Sequence, residues 1–173
     1  MTDLGTLSNI AQILGALTVI GGVVFAVAQL IEYRRQRQET SAAELMKLFH
    51  NPELARAVRL IRDLPDDVSA EELRGRGSEY ELAAIVACTT YETIGLLVFL
   101  DVTPFQLVRQ LTGGIAVVMW RKLRRWNSQV RNEQSQPSWA EWFQWLAELL
   151  QRHTDEKETE PAYKKYAAWA PHA

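Results

Sequence analysis

From Leu7 to Ile31 the chain carries no charged side chain, and Arg34, Arg35 and Arg37 follow at once. No polar face interrupts the run, so the pattern predicts a helix surrounded by lipid rather than one with a side in water. Taken as helix, Ile10 to Ile31 is about 33 Å long at 1.5 Å per residue. The hydrocarbon core of a bilayer is roughly 30 Å thick. The polar residues inside, Gln12, Thr18 and Gln29, are uncharged, and the two glutamines lie near the ends. One charged residue, Asp3, precedes the run. The arginines after it place the N-terminus outside and residues from about 33 onward in the cytoplasm, by the positive-inside rule. Tyr33 stands where an interfacial aromatic belongs. The expected location is the inner (cytoplasmic) membrane. Ala26-Val27-Ala28 resembles a signal-peptide cleavage site, but no Lys or Arg precedes the apolar run, as a signal peptide requires.

At 100° per residue, Ser8, Ala11, Gly15, Thr18, Gly22, Ala26 and Gln29 fall on one narrow stripe. Small residues let two helix backbones approach closely in lipid, where van der Waals packing rather than hydrophobicity drives association. The contact face expected is therefore Ala11, Gly15, Thr18, Gly22, Ala26 and Gln29. Its partner is another membrane protein or a second copy of the chain.

Beyond the span, apolar positions recur at helical spacing between short punctuated loops. The first helix is expected to continue to about Phe49, since no Gly or Pro interrupts it, with Leu45, Met46, Leu48 and Phe49 as an apolar stripe. Asn51 and Pro52 read as an N-cap with Pro at the first helical position. The helix that follows carries Leu54, Val58, Leu60, Ile61 and Leu64 and stops at Pro65. Ser69 with Glu72, Ser78 with Glu81 and Ser138 with Glu141 match the capping box. They predict a short helix closed by Gly75 and Gly77, a long apolar helix from about Glu79 to Leu100, and a Trp-rich helix ending near His153. Thr103 and Pro104 open another helix. Gly113-Gly114 is expected to interrupt it before a basic amphipathic stretch from Ile115 to Arg131. No run alternates over strand length, so the fold class expected is all-α: one N-terminal transmembrane helix continuing into a small cytoplasmic helical bundle. The domains are then 1–33 as N-terminal segment and span, 34–153 as cytoplasmic domain and 154–173 as a flexible tail.

The helix from Leu82 to Leu100 is nearly long enough to span by itself. It holds Glu92 near its centre, and a carboxylate at mid-membrane costs roughly 2.5–3.5 kcal/mol on insertion scales. It reads as the central core helix of the soluble domain. Were it to span, the C-terminal half would lie outside.

Charge narrows the function classes. With 19 basic and 21 acidic side chains, bulk electrostatics make no case for nucleic acid. The single cysteine, Cys88, excludes an intramolecular disulfide and lies in an apolar run, where a buried thiol is expected. His50, His153 and His172 show no metal-ligand spacing, and no phosphate-loop pattern surrounds Gly113-Gly114. No catalytic residue, cofactor, metal or small-molecule substrate is inferred.

Three groups still carry possible chemistry. Glu92 has the setting for a raised carboxylate pKa, against which stands a buried ion pair or a hydrogen bond to a helix end. Arg121, Lys122, Arg124 and Arg125, with Trp120 and Trp126, form the densest basic-aromatic cluster. Together with Arg34, Arg35 and Arg37 it reads as a membrane-surface or anion contact, or as a solvated face whose Trp residues point inward. Trp139, Trp142, Phe143 and Leu146 share a core-like helix face, while Trp145 lies off it. Trp145 and Trp169, in a tail that also holds Tyr163 and Tyr166, are candidate partner contacts.

Together, the N-terminal span, the Gln/Arg-rich stretch from Gln29 to Gln38, the Thr-Tyr-Glu-Thr-Ile-Gly segment from Thr90 to Gly95 and the Trp-containing basic helix ending near Arg131 resemble a group of uncharacterised bacterial membrane-anchored proteins, classed as a domain of unknown function. The resemblance covers about residues 7–150 and implies an anchored helical fold, with no activity and no catalytic residue.

The function these features favour is a non-enzymatic, single-pass accessory or scaffold protein. It would associate through the small-residue face and present a helical cytoplasmic domain to a partner. The alternatives are a membrane-tethered enzyme or sensor with a pocket around Glu92, and a nucleic-acid-binding module using the helix from Trp120 to Arg131.

Overall fold

A computed structural model describes residues 4–49, 51–153 and 162–170. Within the first helix, side chains are described for Gly15, for 18–33 and for 36, 40, 43, 45 and 47–49. The elements are α1 (Leu4–Phe49), α2 (Pro52–Arg62), α3 (Ala70–Gly75), α4 (Ser78–Phe99), α5 (Phe105–Glu133), α6 (Glu141–Arg152) and α7 (Ala162–Lys165). Among the described residues there is no strand. The chain divides into two compact units, one ending at Ala43 and one beginning at Glu44.

The first unit is a single uninterrupted helix. Every described side chain from Thr18 to Tyr33 is exposed, and the large apolar ones from Val19 to Ile31 are 51–67% exposed. Arg34, Arg35, Arg37, Ala11 and Met46 lie outside the described side chains.

In the second unit the last turn of α1 contributes Leu45, buried, with Leu48 and Phe49 half-buried against the same core. α2 begins as its sequence dictates: the Asn51 side chain accepts the Glu53 N–H at 2.9 Å, and Pro52 fills the first position, where a missing N–H costs nothing. Its spacing places Leu54, Ala57 and Ile61 on one buried face. Ser69 and Glu72 make the full reciprocal capping box for α3.

α4 packs against both α2 and α6. It buries Ala83, Ala84, Ala87, Cys88, Tyr91, Ile94 and Gly95 along one face. Small residues dominate that face, which brings neighbouring helices close. At Gly95 a Cβ would lie 2.3 Å from the carbonyl oxygen of Trp142, so α6 crosses α4 in backbone contact at this point. Rings continue the seam: Tyr91 stacks on Phe143 at 5.0 Å, and Phe99 lies 4.4 Å from Trp142. α5 buries Val108, Ala116, Met119, Leu123, Trp126 and Val130 against the same core.

Three expectations are corrected. Gly113-Gly114 does not break the chain; α5 runs through it as one helix of 29 residues. Gly113 is buried with Leu150 beside it, so here glycine serves helix approach rather than interruption. Ser78 is not a cap, because α4 starts on it and Gly77, at φ 118°, takes the N-cap position. Ser138 is not a cap either: α6 starts at Glu141 after Ala140, whose φ of 54° is left-handed.

By length and composition, α4 is the helix among the described residues long and apolar enough to cross a membrane. The described apolar run of α1, Thr18–Tyr33, is shorter. Less than half of the α4 stretch is buried.

Candidate functional site

The small-residue stripe of α1 is open. Gly15, Thr18, Gly22, Ala26 and Gln29 are all exposed, and a Cβ at Gly15 or Gly22 would meet nothing within 4 Å. Ala11, the sixth residue of the expected face, lies outside the described side chains.

Glu92 has a structural use. Its Oε2 accepts the backbone N–H of Phe143 at 2.8 Å, in the first turn of α6. That N–H has no acceptor within its own helix, and the helix dipole favours an anion there. The bond fixes α6 on α4 one residue beyond the Gly95–Trp142 contact. A recess of about 170 Å³ beside it is lined by Cys88, Thr89, Glu92, Gln136, Ser138, Trp139 and Ala140. No second carboxylate and no histidine lines it. The Cys88 thiol donates to Asn127 Oδ1 at 3.4 Å, and burial pushes its pKa up to about 12, the wrong direction for a nucleophile. Asn127, fully buried, also accepts from Trp139 Nε1 at 2.8 Å and donates to the Leu123 carbonyl. Among the described residues, no group of three His, Cys, Asp or Glu side chains is placed to hold a metal. His153 bonds the Leu149 carbonyl at the end of α6; His50 and His172 lie outside the described residues.

The basic helix is largely engaged with the α2–α3 loop. Lys122 Nζ donates to the Leu64 carbonyl and, at 3.4 Å, to Asp66. Arg121 pairs with Asp66 at 3.0 Å. Arg124 grips Asp67 with two nitrogens, and Asp67 takes the left-handed φ of 57° that Asp tolerates. The Asp67 and Val68 N–H groups donate to the carbonyls of Arg121 and Lys122, and Ala70 N–H to Gln129 Oε1. The Arg124 hydrogen bond holds the Asp67 carboxyl below the usual range. Trp126 is buried, and Trp120 is half-buried with its ring 5.2 Å from Phe143. The inward-pointing reading of the Trp residues therefore accounts for much of the cluster.

Arg125 is the exception. It is exposed and makes no hydrogen bond or ion pair to any described residue. It lines an open cleft of about 500 Å³ between α5 and α6, together with Trp120, Arg121, Arg124, Arg131, Gln144 and Glu148. Three of the cleft's four arginines, Arg121, Arg124 and Arg125, were legible in the sequence as an anion contact, and the cleft was not. The signal was present in two faces that were not combined: 117, 121, 124, 128 and 131 at helical spacing, opposite 144, 148 and 151.

Arg131 clamps the turn before α6, donating to the Trp139 and Ala140 carbonyls and, at 2.8 Å, to Gln144 Oε1. Trp145 is half-buried, edge-on to Phe99 at 5.9 Å and to Trp142 at 6.0 Å, so much of its area is already used within the fold. Trp169, after α7, is 67% exposed.

The chain belongs to the DUF4760 family, a domain of unknown function, whose match covers residues 16–150. No curated protein and no solved structure matches it.

Proposed function

We propose that the protein is a non-enzymatic, single-pass accessory or scaffold protein of the inner membrane. The N-terminal half of α1 spans the bilayer with its N-terminus outside, and the chain from about residue 34 forms a cytoplasmic helical bundle that is presented to a partner. The observation that carries this reading is the exposure of Val19, Ile20, Val23, Val24, Phe25, Val27, Leu30 and Ile31 along α1, most of them on the side opposite the small-residue stripe. Leaving eight such side chains in water costs on the order of 10 kcal/mol relative to covering them. Lipid covers them.

Among the described residues α4, rather than the shorter apolar run of α1, has the length and composition of a span, but a core helix is the stronger reading of α4. Its buried face packs against α2 and α6, and Glu92 is committed to the α6 N-terminus. A core helix accounts for both features.

Association runs through the face of Gly15, Thr18, Gly22, Ala26 and Gln29, to which sequence spacing adds Ala11. The partner is a second copy or another membrane protein. Gly22→Leu tests this: bulk at the centre of the face is expected to reduce chemical crosslinking in native membranes, whereas Val24→Leu on the opposite side leaves it unchanged. Equal crosslinking of both variants and the wild type would remove the contact face from the account.

A further inference from the structure

We infer that the cleft between α5 and α6 binds a small phosphate-bearing anion, with Arg125 as its primary contact. The cleft is about 500 Å³, inside the range of small-molecule sites. Its lining holds four guanidiniums, of Arg121, Arg124, Arg125 and Arg131, against two carboxylates, of Asp67 and Glu148.

Both carboxylates are already engaged. Asp67 is gripped by Arg124, and Glu148 accepts the Gln144 amide at 2.8 Å. Arg131 spends its nitrogens on two carbonyls and on Gln144, which makes it part of a rigid wall that still carries its charge. Arg121 commits Nε to Asp66. Arg125 makes no hydrogen bond or ion pair to any described residue, and its charge acts on Asp67 and Glu72 only through space. An uncommitted guanidinium facing a cleft with excess positive charge is suited to an anion, and its planar fork matches phosphate oxygens.

The rest of the lining fits the body of such a ligand. Val117 and Trp120 give an apolar wall, and Trp120 is held in place from behind by Phe143. Gln151 supplies an amide at the rim, where Ser128 and Gln144 are already bonded to the Arg124 carbonyl and to Arg131 and Glu148. A phosphate ester of modest size uses all three kinds of surface. Its source is either a soluble phosphate ester or a phospholipid headgroup.

The inference does not depend on α1 lying in a bilayer, and its test is arranged accordingly. Purified full-length protein in a neutral detergent is titrated with inorganic pyrophosphate by calorimetry. In parallel, protein in phosphatidylcholine vesicles is assayed for tryptophan quenching by brominated phosphatidylglycerol. Saturable pyrophosphate binding that Arg125→Gln weakens by about tenfold or more, and that Arg125→Lys partly restores, supports the site with a soluble ligand. Quenching that depends on Arg125, without pyrophosphate binding, supports the site with a lipid headgroup. An unchanged melting temperature of Arg125→Gln separates lost binding from lost fold, as expected for a side chain with no hydrogen bond or ion pair to any described residue. Binding that ignores Arg125 in both assays, no binding in either, or binding of an oligothymidylate alone overturns the inference.

Discussion

Gly95→Ala isolates the contact on which the seam between α4 and α6 depends. The added methyl would sit 2.3 Å from the Trp142 carbonyl oxygen and 2.8 Å from its carbonyl carbon. Neither atom belongs to a flexible side chain, so a helix must move by nearly an ångström. In isolation the substitution favours helix by about 1 kcal/mol. Against this, overpacking costs about 1–3 kcal/mol. Displacing α6 also strains the Glu92 bond to the Phe143 N–H, and hydrogen bonds to charged groups are worth about 1.5–3 kcal/mol. The net expectation is a loss of about 2–3 kcal/mol, or a melting temperature lowered by roughly 5–10 °C for a chain of this size. Gly114→Ala is the matched control. It lies in α5, exposed, with nothing within 4 Å of the new Cβ, so it is expected to gain up to about 1 kcal/mol. Denaturant unfolding followed by tryptophan fluorescence measures both. If Gly95→Ala is as stable as the wild type, the backbone contact between α4 and α6 is not there.

Cys88, buried with its thiol pushed up to about 12, is expected to resist a water-soluble thiol reagent in the folded protein and to react at once in denaturant; rapid labelling of the native state would contradict its burial. Arg131→Gln is expected to destabilise by about 2 kcal/mol in denaturant melts, since it leaves the Trp139 carbonyl without its donor and takes one of two donors from the Ala140 carbonyl, whereas exposed Arg56→Gln changes stability by less than about 1 kcal/mol. The carboxyls of Asp67, Glu72 and Glu133 are held below their ordinary values by hydrogen bonds from Arg124, Ser69 and Arg74 respectively. A depressed folded-state pKa contributes stability above the unfolded value, near 4, that is lost as pH falls through the folded value. Melting temperature is therefore expected to hold between pH 7 and about 5 and to fall below about 4, modestly because these groups are exposed; a rise on acidification would reverse the sign.

Local signals were legible where local bonds decide the outcome. Asn51-Pro52 and Ser69/Glu72 cap their helices because every partner lies within three residues. Ser138/Glu141 has the same local pattern and fails. The Arg131 clamp on Trp139 and Ala140 comes from another helix and fixes the turn before α6 first. Gly113 and Gly95 were unreadable for a related reason. A glycine that breaks a helix and one that lets a second helix approach look alike until Leu150 and Trp142 are placed beside them. Glu92 was legible as a choice between catalysis and a helix-end bond, and packing against the first turn of α6 supplies the bond. The basic cluster was visible, but Asp66 and Asp67, its partners, lie more than fifty residues earlier in the chain. The cleft beside Arg125 requires two helix faces that no local pattern joins.

The anchoring role of α1 is tested most directly by extracting membranes from cells expressing the full chain with alkaline carbonate, alongside protease treatment of intact cells. The account predicts that the protein stays in the membrane pellet and that its C-terminal portion survives the protease until the cells are opened. Release into the carbonate supernatant, or digestion of the C-terminal portion in intact cells, would contradict it.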